Sequence, residues 1–204
     1  MSFDDNRVTA QTLVHWPTTG TITIFDTEFT AWEGSQARNW SEPWEFIELV
    51  EIGAVRTDAA TFTVQDTFQV LVHPKKNPVL SAYFTDLTGI TQADLDARGQ
   101  TLPQAVTLFE AFVANSDTVL SNGGDADVFN QSFACHELDC PMDFSLYWNI
   151  QPALLKLFPG NRSISSATLP ELAGAEFVFK AHEALEDALA IAAALKHLRA
   201  DGRI

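Results

Sequence analysis

The chain reads as one α/β domain built on a mixed sheet, with a three-strand antiparallel meander first and parallel strands alternating with helices after it. Three observations carry this. The runs TITIFDTEFT (21–30), FIELVEIGAVRTD (46–58) and TFTVQDTFQVLVHP (61–74) are apolar and β-branched, and the last two are joined by a hairpin through Asp58–Thr61. After residue 100, short apolar runs alternate with segments of helical spacing, the pattern of an α/β sheet. At 204 residues and 46% hydrophobic content the chain can bury one core and needs no second domain, so the domain is taken as 1–204 with a core from about 20 to 199.

Taken in order, TLVHW predicts a short edge strand or a lead that packs through Val14 and Trp16, with His15 structural or exposed. AWEGSQARNWSEPWEF, rich in Trp, Gly, Ser and Pro, predicts a long surface loop, and a loop of that length beside a chemical site tends to serve it. LSAYFTDLTGITQADLDARG predicts two short helices parted at Thr88 and Gly89. TLPQAVTLFEAFVANS places Leu102, Val106, Phe109 and Phe112 or Val113 at helical spacing, with Thr101 as cap and Pro103 in the first turn. DTVLSNGG is a short buried strand ending in glycines, and DADVFNQSFACHEL a helix with Asp125 as its cap. A brief strand and a helix follow in DFSLYWNIQPALLKLFPG, then the loop NRSISSA and a short helix in TLPELAGA. The chain closes on an Ala-rich helix whose inner stripe is predicted at Leu185, Leu189, Ala192 and Leu195 or Lys196.

Composition limits the function. A formal charge of −15 excludes a broad basic surface for gripping long duplexes, while an enzyme acting on a strand end needs only local positive charge from metal ions and a few placed cations. No apolar run approaches a membrane span, and the opening MSFDDNRVTAQ is acidic where a secretion signal is basic, so a cytoplasmic protein is expected, with no membrane partner. Cys135 and Cys140 lack the spacing of a zinc site and read as free thiols.

Chemistry concentrates in three stretches. Asp26 and Glu28 share a parity with Ile22 and Ile24, so on a strand both carboxylates project from one face, an arrangement suited to a hard divalent cation. Asp127, in the first turn of the helix after Gly123 and Gly124, can face that pair. His182 and Asp187, five apart, sit about 140° apart on a regular helix, so they converge only if His182 belongs to the preceding loop and Asp187 to the helix.

These stretches, with the intervening LTGIT, resemble the DEDDh branch of the DnaQ-like 3'–5' exonucleases from about Ile22 to Leu198, and the tryptophan-bearing insertion is closest to the ERI-like and KapD-like members. The resemblance implies a ribonuclease-H-like fold and two Mg²⁺ or Mn²⁺ ions held by Asp26, Glu28, Asp127 and Asp187, with His182 as general base. It implies release of nucleoside 5'-monophosphates from the 3' end of single-stranded RNA or DNA, RNA being slightly favoured. One departure is that Gly124, Asp125 and Ala126 stand where the family has an Asn and an aromatic before the second Asp. Candidate platforms for the terminal base are Phe29 and Trp32, with Phe84 and Phe129 behind them, and Leu87 is a wedge by resemblance. The alternatives are a small-nucleotide hydrolase and a catalytically silent interaction module on the same fold.

Overall fold

In the computed structural model, which describes residues 11–204, six strands form one sheet. They are β1 (Gln11–Thr12), β2 (Thr21–Phe29), β3 (Leu49–Asp58), β4 (Val64–Leu71), β5 (Thr118–Ser121) and β6 (Tyr147–Asn149), in the spatial order β1-β6-β5-β2-β3-β4. β2, β3 and β4 make the antiparallel meander, and β5, β6 and β1 continue the sheet in parallel from the other edge of β2. This is a mixed sheet of the ribonuclease-H-like kind. The helices are α1 (Ala82–Thr88), α2 (Gln92–Arg98), α3 (Leu102–Val113), α4 (Asp125–Cys135), α5 (Gln151–Leu157), α6 (Leu169–Ala173) and α7 (Ala184–Ala200).

The alternation of β2 divides the core. Ile22 and Ile24 pack with Leu154, Leu169, Ile191 and Leu195 under α5, α6 and α7, whereas Phe25 packs with Phe109, Phe129 and Tyr147 under α3 and α4. Each such fully buried side chain contributes about 1.5–3 kcal/mol by leaving water, so β2 is clamped from both faces. Asp26 and Glu28 share parity with the isoleucines and therefore belong to the α7 face. Thr27 shares parity with Phe25 and belongs to the α4 face.

Two close approaches bring the outer elements onto β2 and β3. β5 pairs with β2 only as far as Ile24 opposite Leu120, so the chain leaves the sheet beside Asp26, at the carboxyl end of adjacent parallel strands where α/β sheets open crevices. On β3, Gly53 faces the start of α7. A Cβ there would lie 2.0 Å from the Leu185 nitrogen, so only glycine lets the helix lie this near the sheet. The pairing register of β2 and β3 also shifts between Glu28 and Phe29, a bulge that bends the ladder where the site begins.

Several expectations need correcting. The lead strand packs through Leu13 and the half-buried Trp16, while Val14 is 71% exposed, because pairing with β6 turns Leu13 inward. The buried residues of α7 are Ala184, Asp187, Ala188, Ala190, Ile191, Ala192, Ala194, Leu195 and Leu198, a wider and smaller-residue stripe than expected; Ala192 and Leu195 lie on it as expected, Leu185 and Leu189 pack half-buried against the same core, and Lys196 is exposed. Close approach at Gly53 explains the alanines. Asp125 is the first residue of α4 rather than its cap, which is Gly124.

The tryptophan-bearing insertion, 31–48, is an ordered loop. Its ends are pinned by Thr30, whose amide donates to the Glu48 carbonyl and whose hydroxyl donates to the Phe46 carbonyl. Inside it Glu45 is buried, paired with Arg38 and accepting from the Ser35 hydroxyl. Both cysteines are free, and burial raises their thiols, that of Cys135 to about 11, so neither is a reactive thiolate. Among the described residues no helix is long and apolar enough to cross a membrane.

Candidate active site

A cleft of about 610 Å³ opens where the ends of β2 and β5 meet the start of α4 and the approach to α7. Its lining includes Asp26, Glu28, Asp125, Asp127, His182 and Asp187. Carboxylate oxygens of Glu28 and Asp187 and an imidazole nitrogen of His182 lie within 4.8 Å of one another. His182 sits in the loop before α7, exposed, with its backbone at φ 63°. That left-handed conformation is uncommon outside glycine. Here it aims the His182 amide at Asp187, whose Oδ2 accepts it at 2.8 Å. Loop and helix thus deliver the imidazole and the carboxylate from different directions to one point.

The start of α7 is fixed by a residue that periodicity did not single out. Glu51 on β3 is the cross-strand partner of Glu28 and is buried, and its carboxylate accepts the Ala184 amide at 2.9 Å and the Gln69 side-chain amide at 2.7 Å. It ties the first turn of α7 to the sheet while adding negative charge beside Glu28.

The cluster is electrostatically uncomfortable as it stands. Burial, then the charges of Asp125, Glu28 and Asp187, raise the Asp26 carboxyl well above the usual range, and a 3.5 Å bond from Ser166 opposes this only partly. Burial, then Asp187, Glu51 and Asp125, raise Glu28 likewise. Asp187 is raised by burial, partly offset by its bond from His182. Asp125 is pushed to about 6 by burial, against the hydrogen bonds it accepts from Thr27. The charges pressing on Asp26 and Glu28 are all carboxylates. Glu28, only 9% exposed, makes no side-chain hydrogen bond among the described residues. Buried like charges with so few donors are costly unless a cation joins them, so the carboxylate set fits a divalent ion bound by oxygens.

Asp125 and Asp127 both reach the cleft from the first turn of α4 but stand differently. Asp125 Oδ1 accepts both the amide and the hydroxyl of Thr27, at 3.2 and 2.9 Å, and so clasps α4 to β2 between Asp26 and Glu28. Asp127 lines the cleft one position beyond Ala126, its amide bonded to the Gly124 carbonyl.

Of the proposed base contacts, Phe29, Trp32 and Leu87 line the cleft. Phe84 and Phe129 do not. Phe84 is 1% exposed in a core with Leu95 and Ile90, and Phe129 is fully buried, stacked on Phe109 at 5.6 Å. Helical spacing cannot tell an aromatic aimed at a cleft from one aimed at the core, and in both cases the core took it. Trp40 was not singled out. It packs on Phe29 at 5.4 Å, and its indole N–H donates to the Thr30 carbonyl, giving the cleft an aromatic wall with Tyr83.

Known proteins similar to this chain are exonucleases. The 3'–5' exonuclease Snipper of Drosophila melanogaster is 33% identical over 94 residues, covering 46% of this chain and 32% of that protein. The mouse 3'–5' exoribonuclease 1 is 28% identical over 193 residues, 89% of this chain and 53% of that protein. The chain therefore spans about a third to a half of the length of these relatives. The solved nuclease domain of 3'hExo, a DEDDh family member bound to rAMP, superposes with a TM-score of 0.77 at 26% identity, covering 90% of this chain and 94% of that one. The family model for exonucleases, RNase_T, matches residues 23–195. That span runs from β2 into α7 and takes in every carboxylate of the cleft, and the chain belongs to the RNase_T exonuclease family.

Proposed function

We propose that this chain is a divalent-metal-dependent 3'–5' exonuclease that removes nucleoside 5'-monophosphates from single-stranded 3' ends, with RNA favoured over DNA. The observation that carries the reading is the buried, mutually repelling carboxylate cluster beside an exposed imidazole in an open cleft of about 610 Å³. The preference for RNA is supported by similarity to exoribonuclease 1 and to a nuclease domain bound to rAMP.

Asp26, Glu28, Asp127 and Asp187 are the residues to hold Mg²⁺ or Mn²⁺, two ions in all. When bound, such ions offset phosphate charge and steady the attacking and leaving oxygens. In this reading Asp127 completes the ligand set, while Asp125, whose charge presses on Asp26 and whose Oδ1 accepts two bonds from Thr27, holds α4 to β2 beside it. His182 takes the proton of the attacking water at its free ring nitrogen, the imidazole being carried to the mouth of the cleft by a loop that Asp187 anchors through the His182 amide. The Phe29–Trp40 wall, Trp32 and Leu87 receive the terminal base by its π-face, which demands no particular sequence.

Metal binding tests the reading independently of turnover. Mn²⁺ should raise the thermal midpoint of the wild-type protein by mass action on the folded state, and Asp26→Ala should abolish most of that rise while leaving a cooperative transition. An undiminished Mn²⁺ shift in Asp26→Ala overturns the proposed site.

A further inference from the structure

The segment from Ala175 to Glu183 joins α6 to α7 without regular structure and carries His182. It is poorly fastened: Val178 is fully exposed, and Phe177 and Phe179 meet only each other's rings, tilted at 32° and 5.6 Å apart, without joining any core cluster among the described residues. One side chain ties it to the opposite wall of the cleft. Lys180 Nζ donates to the backbone carbonyl of Thr88 at 2.9 Å and lies 3.7 Å from Glu183 on its own segment. Thr88 is the last residue of α1, the helix whose Tyr83 and Leu87 line the cleft. The carbonyl is open to Lys180 because the chain turns there through Gly89 at φ 80°, and a Cβ on Gly89 would lie 2.3 Å from Nζ. The ammonium thus occupies the space that a glycine leaves vacant.

We propose that Lys180 is a positioning residue: its bond to the Thr88 carbonyl spans the mouth of the cleft and holds the His182 segment against α1, fixing the imidazole over the carboxylates and the distance between His182 and Leu87. The inference rests on the reading of His182 as general base. Its energetic source is local. His182 is held in a left-handed backbone conformation by a single amide bond to Asp187, and Lys180, two residues earlier, limits how far the segment can relax from it. Because the Lys180 side chain is 58% exposed, water competes for its ammonium, and the expected effect is moderate.

The experiment compares Lys180→Met, which keeps the apolar stem, and Lys180→Arg in the wild-type and His182→Ala backgrounds, using a 3'-labelled single-stranded RNA with saturating Mg²⁺. Amide hydrogen exchange of His182, whose amide is bonded to Asp187, is measured alongside. Lys180→Met should speed exchange of this amide severalfold without changing β2, and lower kcat about three- to tenfold with a smaller change in KM. It should have no further effect in His182→Ala, and Lys180→Arg should restore most of the rate. Unchanged exchange, unchanged kcat, or an equal loss in both backgrounds each overturn the proposal. His182→Ala alone reports on the base: if it turns over like wild type, the base assignment has failed, and the exchange measurement still shows whether the clasp exists. Gly89→Ala, which displaces the ammonium from the other side, should reproduce the exchange phenotype.

Discussion

Gly53→Ala is the sharpest test of how the fold places the site. The added methyl carbon would sit 2.0 Å from the Leu185 nitrogen and 2.1 Å from the Ala184 carbonyl carbon, both backbone atoms, whereas ordinary contact begins at 3.4 Å. The start of α7 must therefore retreat by about 1.4 Å, since no rotamer change can relieve a backbone overlap. Asp187 lies in the first turn of that helix and His182 just before it, so both move away from Glu28, and the Glu51 bond to Ala184 stretches. Overpacking of this kind costs about 1–3 kcal/mol, or about 2–4 °C in Tm per kcal/mol for a chain of this size. A displacement of about 1 Å at a catalytic group costs on the order of 10² in rate. Thermal melting and single-strand digestion should be run beside Phe109→Leu, a core change under the far face of β2, which should lower Tm but spare kcat. If Gly53→Ala is destabilised like that control yet keeps wild-type kcat, close packing of α7 on β3 does not set the active geometry.

The carboxylate cluster predicts an inverted pH dependence of metal-free stability. Asp26, Glu28, Asp125 and Asp187 all hold protons more tightly in the fold than in the unfolded chain. Their contribution is therefore complete below about pH 4 and is lost as pH rises through about 6, where Asp125 titrates. Tm in EDTA should fall between pH 5 and 7.5, less so in Asp125→Asn, and Mg²⁺ should stabilise more as pH rises; a Tm in EDTA that climbs over this window contradicts the account. His182→Ala should lower kcat by about 10²–10⁴ while the Mn²⁺-induced Tm shift persists, and loss of both together would mark His182 as chiefly a metal ligand. With a net charge of −15 and few cations to neutralise phosphates, log KM for a single-stranded oligomer should change only shallowly with log salt. Trp40→Ala should raise KM several-fold, whereas a steep salt slope or efficient digestion of blunt duplex would speak against a reader of single-stranded termini.

The parts of this site legible in the sequence were those fixed by local periodicity. Strand alternation put Asp26 and Glu28 on one face, and the five-residue spacing of His182 and Asp187 required a loop followed by a helix, which is how the chain folds. What stayed hidden depended on how distant elements meet. Glu51 stands opposite Glu28 through a cross-strand register that no single strand encodes, although an acid within the apolar run ELVEIGAV was a visible signal. Gly53 gave no hint of the helix above it, and Ser166 reaches Asp26 from a loop 140 residues away. Phe84 and Phe129 show the opposite failure, since as aromatics they are candidates for stacking on a base while their helices turn them into the core.

The central claim is tested most directly by the products released from matched, 5'-labelled RNA and DNA oligomers of one sequence, each single-stranded with a free 3' hydroxyl, incubated with Mg²⁺ and resolved to single-nucleotide steps. The account predicts a ladder that shortens from the 3' end, nucleoside 5'-monophosphates as the small product, RNA shortened faster than DNA, and no shortening by Asp26→Ala. Internal fragments, products bearing a 3' phosphate, or digestion that survives Asp26→Ala would contradict it.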